Sequence, residues 1–354
     1  MIRRSINRIL VIVFIVAIAF NMLSAQVVSP FNKRVLKDSL KTYSFIVSGH
    51  FHGSPASRST FPAATLLANI DTLNELNPCF LMSLGDLFID VNEKYISNYQ
   101  KSLFTKLKMP LFNAVGNHDI SNDNYYEKVY GKTYSSFILN SELYIILNTE
   151  LNDGSIKGEQ LIFFNNALKE ANLEQIKNIF IFSHRPIWSE NNEAYAGLFE
   201  GNTRTMLGEN NFEDEIKPVL KSVSKGKSIY WMSGSMAGGA ASFFYNKEPE
   251  TGITFIQTAI RDLPRDAVLQ LTIDNGKVNF TCVSFTAESL KPLESYGINF
   301  WKKNTAPEDA FSFRLLPYLT MKMLMHYYFW IGFVTSLLLL LFLRLLYSRW
   351  KRRK

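Results

Sequence analysis

Four of the chain's five histidines stand in short turns that each follow an apolar run, and that pattern limits the possible folds more than any composition figure does. The turns read Ser48-Gly49-His50-Phe51-His52-Gly53, Gly85-Asp86-Leu87-Phe88-Ile89-Asp90, Gly116-Asn117-His118-Asp119 and Ser183-His184-Arg185-Pro186. The runs before them, residues 43–47, 79–84, 111–115 and 179–182, have the length and apolar content of buried strands. Between them, residues 61–76, 92–107 and 158–171 place apolar side chains at helical spacing. Strand–helix–strand succession predicts a mainly parallel sheet covered on both faces. Strands of one such sheet end at the same edge, so the four turns are expected to converge there. Histidine, aspartate and asparagine gathered at one edge point to a metal site. A lone histidine is usually only a satisfied polar residue; four at matching strand ends are not explained that way.

The later chain changes character. Residues 229–232, 253–258, 267–273 and 277–285 are strand-like with little helix between, and Asp274-Asn275-Gly276 is a hairpin turn signal. The expected body is an α/β domain over 40–286 ending in an antiparallel element, with residues 287–325 as a juxtamembrane stalk. Cys79 and Cys282 lie in apolar runs, and two cysteines do not demand a disulfide.

The net charge of +7 invites a nucleic-acid reading, and the position of the charges removes it. Residues 1–8 and 344–354 carry nine Lys/Arg and no acid, which leaves the rest of the chain at −2 and without the excess of cations a DNA-binding face needs. Both ends read as membrane signals. Residues 9–20 are apolar, follow three arginines and precede Ser24-Ala25-Gln26, the pattern of a secretory signal over 1–25; an uncleaved anchor is the alternative. Residues 326–347 form a nearly unbroken apolar run with Tyr327, Tyr328 and Trp330 at one end and Tyr347 and Trp350 at the other, long enough to span a bilayer. His326 is most simply an interfacial residue. The basic tail 348–354 is expected in the cytoplasm, with the domain outside it, in a bacterial periplasm or on the outer face of the inner membrane.

Turns of the form Asp-x-His, Gly-Asp, Gly-Asn-His-Asp/Glu, a lone histidine and Gly-His-x-His, in that order at strand ends, mark the calcineurin-like metallophosphoesterases. The chain resembles that family over residues 43–285. The resemblance implies a sandwich of two mixed β-sheets flanked by helices, here followed by a transmembrane helix, and a phosphate mono- or diester as substrate. It also implies one or two divalent metal ions (Zn, Fe or Mn). One metal would use His50, His52 and Asp86; the other Asp86, Asn117 and His184. His118 would serve as general acid or as a positive charge on the phosphate, with Asp119 orienting its ring. Arg185 is a further candidate phosphate contact.

Two motifs depart from the pattern. His50 stands where the family has aspartate, and Gly234-Ser235-Met236-Ala237 stands where it has Gly-His-x-His, so Ser235 and Ala237 replace two ligands. Ser235 is then at most a weak ligand or substrate contact. Each metal loses a ligand, and a mononuclear site on His50, His52 and Asp86 is one expected result. The other is a domain that keeps the fold and binds or senses without catalysis. Asp90 reads equally as a loop acid or a functional one, and Gly238-Gly239-Ala240 as a tight turn or a phosphate cradle.

Overall fold

The computed structural model describes residues 26–37, 41–54, 59–171, 173–190, 192–195, 198, 210–236, 241–304, 316–324 and 326–352. The expected signal at 1–25 lies outside these residues, as do Ala237 and Gly238-Gly239-Ala240. Along the chain the strands are β1 (Thr42–Ser48), β2 (Leu81–Ser83), β3 (Leu111–Asn113), β4 (Ser135–Leu139), β5 (Glu142–Ile146), β6 (Asn178–Ser183), β7 (Ser228–Ser233), β8 (Phe243–Lys247), β9 (Thr254–Thr258), β10 (Ala267–Asp274) and β11 (Lys277–Ser284). The helices are α1 (Ala64–Ala68), α2 (Ile70–Glu75), α3 (Glu93–Tyr99), α4 (Tyr125–Tyr130), α5 (Gly158–Glu170), α6 (Lys217–Val223), α7 (Ile298–Lys303), α8 (Leu316–Leu324) and α9 (Tyr327–Lys351).

The strands form two mixed sheets, ordered β11-β10-β1-β2-β3 and β4-β5-β6-β7-β9-β8. This is the sandwich flanked by helices that the resemblance implies. It corrects the single parallel sheet inferred from strand–helix alternation, which records chain order but not which sheet a strand joins. The hairpin β10–β11 turns at Asn275 (φ 51°) and Gly276 (φ 86°), the two positive φ values of a type I′ turn. The side chains of β1 alternate between two cores. Phe45 and Val47 face the second sheet, where Phe45 stacks on Phe80 at 4.8 Å and meets Phe180 edge-on at 5.2 Å. Ile46 faces a second apolar cluster with Leu66, Leu73 and Tyr99 from the helices. A strand covered on both faces reads as an unbroken apolar run, which is why β1 was legible.

The helix expected over 61–76 breaks at Asn69, whose Nδ2 donates to the Thr65 carbonyl (2.8 Å) and to that of Phe285 (3.0 Å). A short amide that bonds backbone competes with the helix it sits in. The helix expected over 92–107 starts where Asn92 caps the amides of Lys94 and Tyr95, then widens into a π turn over Gln100–Phe104. The packed domain also reaches beyond 40–286. Phe31 is buried and Ser29 Oγ donates to the Leu111 carbonyl at 2.6 Å. Trp301 on α7 is buried and donates to the Phe243 carbonyl at 3.0 Å. Cys79 and Cys282 form no disulfide.

Helix α9 has 25 residues and a mean hydropathy of 2.2 over its most apolar window, and none of that window is buried, so it is long and apolar enough to cross a membrane. Just before it, α8 packs near α1 and places Lys322 Nζ 2.8 Å from Asp262 Oδ2. Asp262 Oδ1 in turn accepts from the Thr65 amide at the start of α1 (3.1 Å).

Candidate metal and phosphate site

The carboxyl ends of β1, β2, β3, β6, β7 and β9 meet where the sheets converge. The chain end of β1 bridges Ala259 beyond β9 through Gly49, and the His50 amide donates to the Gly85 carbonyl at 3.0 Å. Close approach makes glycine obligatory at two places. A Cβ on Gly85, at φ +88°, would lie 2.4 Å from His184 Nδ1, and one on Gly116 would lie 2.3 Å from Asp86 Oδ1. His50 (φ 58°) and Asp86 (φ 54°) adopt the left-handed region without being glycine. Such conformations cost roughly 1–2 kcal/mol per residue, and they turn both side chains into one space.

Three imidazoles surround a single carboxylate oxygen there. The Nε2 atoms of His52 and His184 each lie 3.5 Å from Asp86 Oδ2, and His50 Nε2 lies 3.8 Å from it. All four side chains are buried. His184 Nδ1 is 2.9 Å from the Leu84 carbonyl and His118 Nδ1 is 3.0 Å from that of Ile89. A carbonyl only accepts, so both rings carry a proton on Nδ1, which leaves Nε2 for the site. Donor atoms of His50, Asp86 and His184 lie within 4.8 Å of one another, as do those of His52, Asp86 and His118. The sequence paired these residues differently, His50 with His52 and Asn117 with His184; Asp86 is common to both schemes. Asn117 is exposed at the head of its turn.

Burial pushes His50 well below the usual imidazole range; the nearby Arg261 charge adds to this and Asp86 opposes it. Burial lowers His52 as well, against the pull of Asp86. Burial alone would raise Asp86, but His184, His52 and His50 hold it well below the usual carboxylate range. The result is one ionised carboxylate among imidazoles, of which His50 and His52 are disfavoured as cations. None of the ring nitrogens of His50 and His52 has a hydrogen-bond partner. Buried polar atoms are rarely left so, and a divalent cation would take one nitrogen from each ring. Imidazole with one carboxylate is a donor set for Zn, Fe or Mn.

Two expected roles change. Asp119 does not orient the His118 ring, which Ile89 holds. Its Oδ1 accepts from the Phe88 amide (2.9 Å), and its Oδ2 from the Gly116 amide (2.9 Å) and Asn113 Nδ2 (3.0 Å), so it ties two site loops together. Burial first, then the charge of Asp86, push it up to about 6. Arg185 does not face the site as a phosphate contact: its Nη2 lies 2.6 Å from Glu150 Oε2, and its Nε donates to both Glu150 oxygens at 2.8 Å. Ser235 is held by its amide, which donates to the His184 carbonyl at 2.7 Å. Asp90 acts as a loop acid, accepting from the Val91 amide (2.8 Å) and Ser121 Oγ (3.0 Å).

Arg261 was not among the residues expected at the site. It follows β9, donates from Nε to the Met236 carbonyl at 3.0 Å, and is half-buried. Burial lowers it to about 10, so it stays charged at neutral pH. No motif marks it; only the bridge between Gly49 and Ala259 brings its loop to the site.

Neither a family model nor a curated protein sequence matches the chain. Among solved structures the chain is similar to purple acid phosphatase PPD1 from yellow lupin (Lupinus luteus) seeds, at 11% identity and a TM-score of 0.48, over 76% of this chain and 54% of that one. It is similar to GAP50, the anchor in the inner membrane complex of Plasmodium, at 12% identity and 0.48, over 79% and 94%. A predicted phosphoesterase from Streptococcus pneumoniae aligns at 11% identity and 0.33, over 72% and 97%. The chain spans about half the length of the lupin protein.

Proposed function

We propose that the chain is a metal-dependent phosphoesterase anchored to a membrane by α9, with its domain on the non-cytoplasmic side. The observation that carries this reading is the set of buried, unpartnered His50 and His52 nitrogens facing Asp86 together with His184. These four residues would hold the metal, with Asn117 offering an amide oxygen. A divalent cation there lowers the pKa of a bound water and neutralises charge on the phosphoryl oxygens. His118, with Nδ1 fixed on Ile89, has Nε2 left to carry the proton that the leaving oxygen takes. The acid-free basic tail supports the assigned side of the membrane, and residues 1–25 fit a secretory signal.

The test uses full-length protein in a neutral detergent. Elemental analysis is expected to find Zn, Fe or Mn in stoichiometric amount, and an aryl phosphate mono- or diester is expected to be hydrolysed. Asp86→Ala should lose the metal and at least about a thousandfold in turnover, since it removes the one carboxylate common to both donor groups. Unchanged turnover in that variant overturns the assignment. The second reading, a binding domain without catalysis, draws on Ser235 standing where an imidazole would complete the site. It predicts ligand or partner binding without metal-dependent turnover of any ester.

A further inference from the structure

Arg261 is a fixed positive charge at the site with no anion of its own. Its backbone amide donates to Asp266 Oδ1 (2.9 Å), which anchors the residue, and its Nε–H donates to the Met236 carbonyl (3.0 Å), which anchors the guanidinium. Met236 directly follows Gly234-Ser235, so the guanidinium lies beside the stretch from which the last histidine pair is missing. Of the charges acting on His50 its own is the largest, and it also acts on His52 and interacts with Asp86. Among the described residues no carboxylate lies within ion-pair distance of it, whereas Arg185, Lys217 and Lys322 each have one. Asp266 and Asp262, its closest acids in sequence, are engaged by Thr65 Oγ1 and by Lys322.

A half-buried guanidinium is costly to leave uncompensated. One whose Nε is already bound presents its two terminal nitrogens, a planar pair that matches two oxygens of a tetrahedral oxyanion. The residues opposite it are imidazoles and a single carboxylate. That set attracts a first cation through Asp86, while Arg261 repels a second. The two overlapping donor groups that share Asp86 would otherwise offer room for two cations.

We propose that Arg261 is the phosphoryl-binding residue of this site, gripping two non-bridging phosphate oxygens and taking the place of a second metal ion, so that the protein works with one cation per chain. This rests on the phosphoesterase reading above, and its own test does not depend on turnover.

Full-length protein in neutral detergent is stripped of metal, and orthophosphate binding is followed by 31P NMR titration. Arg261→Gln should weaken orthophosphate binding about ten- to hundredfold, the usual weight of a charge-assisted pair of hydrogen bonds, and Arg261→Lys should recover part of it. After metal is restored, wild type should hold one cation per chain, and Arg261→Gln should keep that cation and admit a second. Orthophosphate binding unchanged in Arg261→Gln overturns the proposal. Two cations in the wild type also overturn it, and so does loss of metal from Arg261→Gln, which would make the residue a support for the ligands. If Asp86→Ala keeps full turnover while Arg261→Gln loses phosphate, the phosphoesterase reading fails and the anion site stands.

Discussion

The loops after β1, β2 and β3 bring His50, His52, Asp86 and His118 to the site, whereas those after β6, β7 and β9 bring His184, Ser235 and Arg261. The first sheet supplies lone pairs and the negative charge; apart from His184, the second supplies a hydroxyl and a fixed cation. The neighbouring Arg185 adds nothing to the open site, because Glu150 closes it off. Two edges that would be equivalent in a symmetric metal centre have divided the work, one suited to a cation and the other to an anion. The lesson is that two sides of one site can offer opposite charges.

The first way to break the comparison is to cut what holds the first sheet's loops. Asp119→Ala removes the acceptor of the Phe88 amide, the Gly116 amide and Asn113 Nδ2 and leaves all three buried. A loss of at least about 3 kcal/mol is expected, since each orphaned buried donor costs about 1–3 kcal/mol. Urea denaturation measures it, and a stable variant with only kcat reduced would return Asp119 to a direct role in the chemistry.

On the second sheet, Arg185→Met leaves Glu150 buried without its partner. The expected cost is about 2 kcal/mol, below that of a fully buried pair because the arginine is partly exposed. KM for an aryl phosphate should stay within about twofold, since Glu150 engages the Arg185 guanidinium. A large rise in KM at unchanged stability would show that Arg185, not Arg261, meets the phosphate. Pairing it with Glu150→Gln should restore most of the stability.

The smallest effect sharpens the comparison by isolating burial. Glu142, at the start of β5 and far from any histidine, is pushed up from 4.5 to about 7, by burial first. Asp86, equally buried, is held down by imidazoles. The folded state thus binds a proton at Glu142 more tightly than the unfolded chain does. The stabilisation is complete below pH 4.5 and is lost as pH rises through about 7. Glu142→Gln should therefore melt a few degrees higher than wild type above pH 7 and lose that advantage below pH 4.5. An advantage that did not change with pH would mean that burial is not what shifts this acid.

Much of the first sheet's half was legible in the sequence because short-range chemistry fixes it. An apolar run ending in Gly-Asp or Gly-Asn-His carries its strand and its donors within a few residues. The second half depends on long-range pairing. Arg185 meets Glu150 35 residues earlier in the chain, and Arg261 matters only because β9 lies beside β7 and its loop touches the end of β1. Neither relation leaves a local pattern. The same holds for the break at Asn69, set by a carbonyl 216 residues away, and for the division into two sheets. The spacing of strands and helices is a property of neighbours along the chain, and sheet membership is not.

The ion pair of Lys322 with Asp262 ties the rim of the site to the chain five residues before α9 begins. Even fully extended, five residues reach only about 17 Å. With α9 in a bilayer, the mouth of the site would be on a short leash. It would face a thin layer of solution next to the lipid headgroups instead of the bulk compartment, and any ligand would have to come to that layer to be met.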